Sequence, residues 1–272
     1  MNQKVITEKQ DLRYLEWSKV RTSSGTAGTF LKSEEVIDGK KAYYKLSNFD
    51  AVNGIVGHEC VNEIIVDRLL TILGVDHLDY QLIHADVQID GREYKTWLCK
   101  SMDFKEAGES KTALENYFQV NREGDMSAYD FCKVNGWQKY IDTMLAVDYL
   151  ILNRDRHGAN IEVLRNARKH SLRIAPLFDH GLSFLCSCYS EKEIEEFDVT
   201  KDFPCQNFIG SRSTLQNLDL ISEKETVFNE KLTSKHRDVI FADLDEVISK
   251  QHRDKIWEML YQRWCYYESL CH

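Results

Sequence analysis

Asp155 and Asn160 stand five residues apart in LNRDRHGAN, residues 152–160, and Asp179 follows in FDHG, residues 178–181. Two carboxylates and a carboxamide are side chains that phosphoryl transfer can use. One acid accepts or orients the proton of an attacking hydroxyl, while an amide oxygen and a second acid give Mg²⁺ the hard oxygen ligands it prefers. Each piece alone says little, because D-x-x-x-x-N arises by chance and aspartates sit in turns routinely. Together they raise a question: a loop leaving a buried helix has no packing reason to gather three bases, an acid and an asparagine.

A cation suited to the same chemistry lies upstream. KKAYYKLS, residues 40–47, places Lys45 on a strand between Tyr44 and Leu46. An inward-facing lysine is costly unless it meets an anion. Lys41, near the turn, reads as a solvated lysine. RTSSGTAGTFLKS, residues 21–33, precedes that strand, where a phosphate-covering loop belongs. Gly25, Thr26, Ala27 and Gly28 could free backbone N–H groups for phosphate oxygens. The stretch matches neither G-x-G-x-x-G nor G-x-x-x-x-G-K-[ST].

These residues need elements to position them. Strands and turns are expected from about Tyr14 to Ser47, with a hairpin turning at Asp38-Gly39, and a second hairpin turns at Asp90-Gly91. Residues 56–73 read as a helix: Val61, Ile64, Ile65, Leu69, Ile72 and Leu73 recur at helical spacing, and Gly74 suits its C-terminal cap. Beyond about Met102 the pattern becomes mostly helical. WQKYIDTMLAVDYLIL, residues 137–152, is apolar nearly all round, as a central buried helix is. Residues 161–165 and 171–177 form a short hairpin through 166–170 that delivers FDHG. Ile256, Leu260, Trp264 and Tyr267 make one packing stripe near the end. The layout is α+β and two-lobed: a small β-sheet lobe with one main helix over residues 1–102, then a larger, mostly helical lobe over 103–272.

NRDRHGANIEVL and LRIAPLFDHGLSF together resemble the catalytic segment of the HipA-like serine/threonine kinases. That family pairs an Asp-Arg-His-x-x-Asn loop with an APxYD-like run, here IAPLFD. Phosphatidylinositol kinases share the loop, and it is the run that favours the HipA-like family. The clear match covers residues 150–185, and weaker matches cover most of the N-terminal half. The resemblance implies a protein-kinase-like fold using ATP and Mg²⁺. Asp155 would be the catalytic aspartate, with Asn160 and Asp179 as Mg²⁺ ligands and His157 bracing the loop. Lys45 would hold the nucleotide phosphates. Glu63, eleven residues before Gly74 in HECVNEIIVDRLLTILG, would be its partner in a half-buried ion pair, with Glu59 as the alternative. Backbone groups of Lys100, Ser101 and Met102, in LCKSMDF, would meet the adenine. His180 stands where a hydrophobic residue is usual, and no role is assigned to it.

The same resemblance implies transfer to Ser/Thr of a protein and autophosphorylation within the glycine-containing loop, where Thr22, Ser23, Ser24, Thr26 and Thr29 are available. With that loop starting near residue 21, the chain reads as a stand-alone kinase core, so an antitoxin-like partner is left unassigned. The other readings are a small-molecule or lipid kinase, and a nucleotide-binding pseudokinase.

The chain as a whole excludes several alternatives. Its 272 residues are 43% hydrophobic and 11% aromatic, enough for a sizeable core. A net charge of −9, from 44 acids against 35 Lys and Arg, argues against direct nucleic-acid binding through phosphates. GHECVNE, residues 57–63, begins like the zinc-protease motif, but Asn62 stands where the second histidine must be. The eight cysteines form no C-x-x-C and read as reduced thiols. No leader-like segment and no apolar run of about 20 residues is present, so no membrane partner and a cytoplasmic location are expected.

Overall fold

The computed structural model describes residues 3–18, 30–50, 52–221 and 226–271. The glycine-containing loop, with Gly25, Thr26, Ala27, Gly28 and the hydroxyls of Thr22, Ser23, Ser24 and Thr29, lies outside the described residues.

Strand β1 is Val5–Asp11, β2 Lys32–Ile37 and β3 Lys40–Leu46; the two-residue strands β4 (Phe49–Asp50) and β5 (Gly54–Ile55) follow, then helix α1, Glu59–Leu73. The long pair β6, Tyr80–Ile89, and β7, Arg92–Met102, comes next. Five of these strands form one sheet in the order β1-β6-β7-β3-β2. Both expected hairpins are present. Asp38 and Asp90 take φ of 49° and 50°, and their following glycines 77° and 80°. Two consecutive left-handed residues match the twist of the flanking strands. Strand β1, by contrast, starts earlier than expected and runs parallel to β6. Only Val5 of VITEKQD is buried, so local alternation carried no signal.

The two sheet faces do different work. Ala42, Tyr44, Leu46, Ile83, Ala85, Val87 and Leu98 form one small core with Leu12, Leu15 and Leu31. On the other face Tyr80, Leu82 and Cys99 pack with α1, where Ile64, Ile65, Leu69, Leu70 and Leu73 are fully buried. Each such side chain contributes about 1.5–3 kcal/mol. Helix α1 begins at Glu59 rather than residue 56, because the Ser47 hydroxyl accepts the Cys60 N–H at 3.2 Å and so closes its first turn. It ends at Gly74, whose φ of 68° lets its N–H reach back to Leu70 and Thr71.

The second half holds β8 (Glu109–Ala113), α2 (Leu114–Asn121), α3 (Ala128–Val134), α4 (Gln138–Leu150), β9 (Asp155–Arg156), β10 (Glu162–Asn166) and β11 (Ser171–Ile174). After these come α5 (Glu191–Glu196), β12 (Gln206–Asn207), α6 (Arg237–Ile240) and α7 (Lys250–Leu270). It is less helical than the sequence pattern suggests. A three-stranded sheet, β11-β10-β8, carries the functional loops. From Phe197 to Ser249 the described residues contain only β12, α6 and two 3₁₀ turns. The β10–β11 hairpin turns where expected, with Asn166 Oδ1 accepting the N–H groups of Arg168 and Lys169.

Helix α4 is buried on nearly all sides, and Ile256, Leu260, Trp264 and Tyr267 of α7 join the same apolar cluster. That cluster runs without a break from α1 and β6 into α4 and α7. The cysteines are all free. No described helix is long and apolar enough to cross a membrane.

Candidate active site

A cavity of about 400 Å³ is walled on one side by Lys32, Tyr43, Lys45 and Ser101, and on the other by Asp155, His157, Asn160, Glu162, Phe178 and Asp179. Lys45, Asp155, Asn160 and Asp179, separated by up to 134 residues, thus border one space. Lys45 lies opposite Cys99 of β7 and Lys32 of β2 in register, so all three project from one sheet face.

The Lys45 ammonium has two carboxylate partners. Glu63 Oε1 is 3.3 Å away, and Asp179 Oδ1 accepts a second hydrogen bond. Burial works to lower the lysine pKa, but the charges of Asp179 and Glu63 outweigh it and hold the pKa well above 10.5. For Glu63 burial wins and its pKa rises despite Lys45. For Asp179 burial acts upward, yet Lys45, with Lys32 adding to it, holds the carboxyl below its usual range.

Glu63 is not half-buried as expected; it is 1% exposed. The reason is the loop after β11, which lies over α1 and donates the His180 N–H to Glu63 Oε2 at 2.9 Å. Asn62 fastens the same loop, donating from Nδ2 to the carbonyls of Gly181 and Ser183 at 2.8 and 3.0 Å. Glu59, the alternative partner, instead accepts the Asn48 N–H at 3.2 Å. The left-handed residue in FDHG is Asp179, at φ 58°, and not the glycine. Gly181 is small for another reason: a Cβ there would sit 3.1 Å from the Glu59 Cβ.

Asp155 begins β9, which pairs in parallel with β12. Its carboxyl is raised chiefly by burial, against the downward pull of His157, whose Nε2 lies 3.8 Å from Oδ2. His157 also accepts the Ala159 N–H at 3.2 Å. Asn160 turns its Nδ2 to the Asp155 carbonyl at 2.8 Å, which leaves Oδ1 as the atom that could hold a metal. Asn160 and Asp179 border the same cavity, and an amide oxygen with a carboxylate is a hard-oxygen donor set that fits Mg²⁺.

Lys100 and Ser101 are paired on both edges of β7, so their main-chain groups are committed to the sheet. Met102 pairs with Ala42 and has no partner on β6. Phe104 and Phe178, with ring centroids 5.5 Å apart, add apolar surface to the cavity.

Residue typing alone did not reveal Arg156. It is 1% exposed and pairs with Asp148 of α4. Its Nη1 donates to the carbonyls of Asn160 and Phe178 at 3.3 and 2.9 Å, and thereby holds both functional loops. The buried Asp148, at the polar end of an apolar helix, was the available signal.

No protein-family model matches the chain, and no curated protein matches it in sequence. Among solved structures it is similar to CtkA, a proinflammatory kinase of Helicobacter pylori, with a TM-score of 0.61 and 15% identity over 96% of each chain. HipA of Shewanella oneidensis MR-1, solved with HipB and operator DNA, gives a TM-score of 0.45 and 13% identity over 93% of this chain and 66% of that one. The first likeness shows that this mixed α+β chain shares the fold of CtkA.

Proposed function

We propose that this protein is an ATP- and Mg²⁺-dependent phosphotransferase of the HipA-like type, acting on Ser/Thr hydroxyls of a protein and on its own glycine-containing loop. The observation that carries this reading is the convergence of Lys45, Asp155, Asn160 and Asp179 on one cavity, with Glu63 paired to Lys45 behind it. The shared fold with a protein described as a kinase supports it. The cavity lies where the five-stranded sheet meets the β8–β10–β11 part, consistent with two lobes, residues 1–102 and 103–272, on one continuous core. A cytoplasmic setting suits its free cysteines.

When bound through Asn160 and Asp179, Mg²⁺ supplies charge neutralisation for the nucleotide phosphates. Asp155 orients the acceptor hydroxyl and takes its proton as the new P–O bond forms and the bond from the γ-phosphorus to the bridging oxygen breaks, releasing ADP. Burial raises its proton affinity, which favours that step. Lys45, kept charged by its acids, steadies the phosphates, and Glu63 fixes its position. Main-chain groups near Met102 and the Phe104–Phe178 pair receive the base.

Intact-mass spectrometry after incubation with Mg²⁺ and ATP, beside Asp155→Asn, tests this. Phosphate gained by the wild type alone, or passed by it alone to an added protein acceptor, is expected. Nucleotide binding without transfer to self or to any acceptor in a proteome-wide screen would instead indicate a pseudokinase.

A further inference from the structure

Glu162 is unexplained by the site as described. It sits on β10, two residues beyond Asn160, and lines the same cavity. Its side chain is 15% exposed. One oxygen, Oε1, meets Lys111 Nζ at 3.2 Å, and that ammonium in turn lies 5.7 Å from the centre of the Phe104 ring. The other oxygen, Oε2, is buried without a hydrogen-bond donor. An unpaired buried acceptor is costly, and a functional cavity is where such a cost is tolerated.

Its position along the cavity is informative. Asn160 and Asp179 give the cavity its hard-oxygen donors, while Phe104 and Phe178, with ring centroids 5.5 Å apart, give it apolar lining. Glu162 adjoins both groups: it is two residues from Asn160 along the chain and is joined to Phe104 through Lys111. A nucleotide laid from one group to the other brings its sugar to this point. The sugar offers vicinal hydroxyl donors, and a carboxylate is the acceptor that nucleotide sites use for a ribose hydroxyl. Rotation about the last torsion of the side chain is soft, so either oxygen can turn inward.

We propose that Glu162 is the ribose-binding residue, making the site selective for ribonucleotides over deoxyribonucleotides. The inference rests on the nucleotide reading above and adds a discrimination that reading does not require.

The test is calorimetric titration of the whole protein with ATP, 2′-deoxy-ATP and 3′-deoxy-ATP in Mg²⁺, for wild type, Glu162→Gln, Glu162→Leu and Lys111→Gln. Wild type is expected to bind ATP about tenfold more tightly than at least one deoxy analogue, the worth of one charge-assisted hydrogen bond. Glu162→Leu should bring the analogues level with ATP, Glu162→Gln should retain part of the gap, and Lys111→Gln should keep it. Equal wild-type affinities for all three nucleotides would overturn the assignment, as would a gap that survives in Glu162→Leu. The wild-type comparison needs no variant to fold. Failure to bind any nucleotide is a different outcome, and it would remove the kinase reading together with this one.

Discussion

Arg156 and Asp148 form a two-point ion pair inside the protein: Nε donates to Oδ2 at 3.0 Å and Nη2 to Oδ1 at 2.9 Å. Neither side chain is more than 2% exposed. Asn153 adds a third donor to the same carboxylate at 2.8 Å. The pair ties the end of α4 to the loop carrying Asp155, so the fold and the site share one fastening. Removing one partner strands a buried charge. Asp148→Asn or Arg156→Met should cost about 3–5 kcal/mol, read as a lower urea midpoint with an unchanged slope.

Lys45→Met should abolish phosphotransfer and also lower stability, because it leaves Glu63 and Asp179 facing each other without a cation. Glu63→Gln should be milder. The lysine keeps Asp179, and transfer should fall roughly 10²-fold, the usual worth of one electrostatic contact in a site. Initial rates beside melting curves check both. Unchanged turnover in Lys45→Met would remove the lysine from the mechanism.

Asp155→Asn should separate activity from stability. Among the described residues the carboxylate's close charged partner is His157 at 3.8 Å, and burial already disfavours its charge. Transfer should fall about 10²–10⁴-fold, the range for a positioned proton acceptor, while the melting temperature holds or rises slightly.

Acid should destabilise the protein through His252. This ring, 2% exposed, stacks edge-on against His58 at 4.5 Å, and burial holds its pKa at about 4. Burial lowers His58 as well. The folded pKa lies below the unfolded one, so the unfolded chain binds the proton first. The stability is fully present above about 6.5 and is lost as pH falls towards 4. His252 alone accounts for about 2–3 kcal/mol of that loss. Urea titrations at pH 7 and pH 4.5 should show it, and His252→Phe should reduce the difference.

What the sequence made legible was what short spacings encode. The Asp38-Gly39 and Asp90-Gly91 turns, the end of α1 at Gly74 and the stripe on α7 depend on neighbours within a few residues, and all are present. The candidate site residues were readable because two motifs, DRHGAN and FDHG, carried a family resemblance. Less legible were features made by distant chain segments. Glu63 reads as half-buried from the sequence, and the His180 loop, 117 residues away, and Lys45 cover its two oxygens. The parallel β1–β6 pairing and the partnership of β8 with β10 likewise have no local signature. The commitment of Lys100 and Ser101 to two neighbouring strands follows from sheet order, which alternation alone does not give.

One planar group sets the gauge of this site. Because the Arg156 Nη1 is shared between the Asn160 and Phe178 carbonyls, the two loops leading to Asn160 and Asp179 are held together by one nitrogen, itself fixed by the pairing of Nε and Nη2 with Asp148. A lysine could neutralise Asp148, but its flexible stem would let the loops drift. The mouth is thus dimensioned from behind by a residue that does not border the cavity.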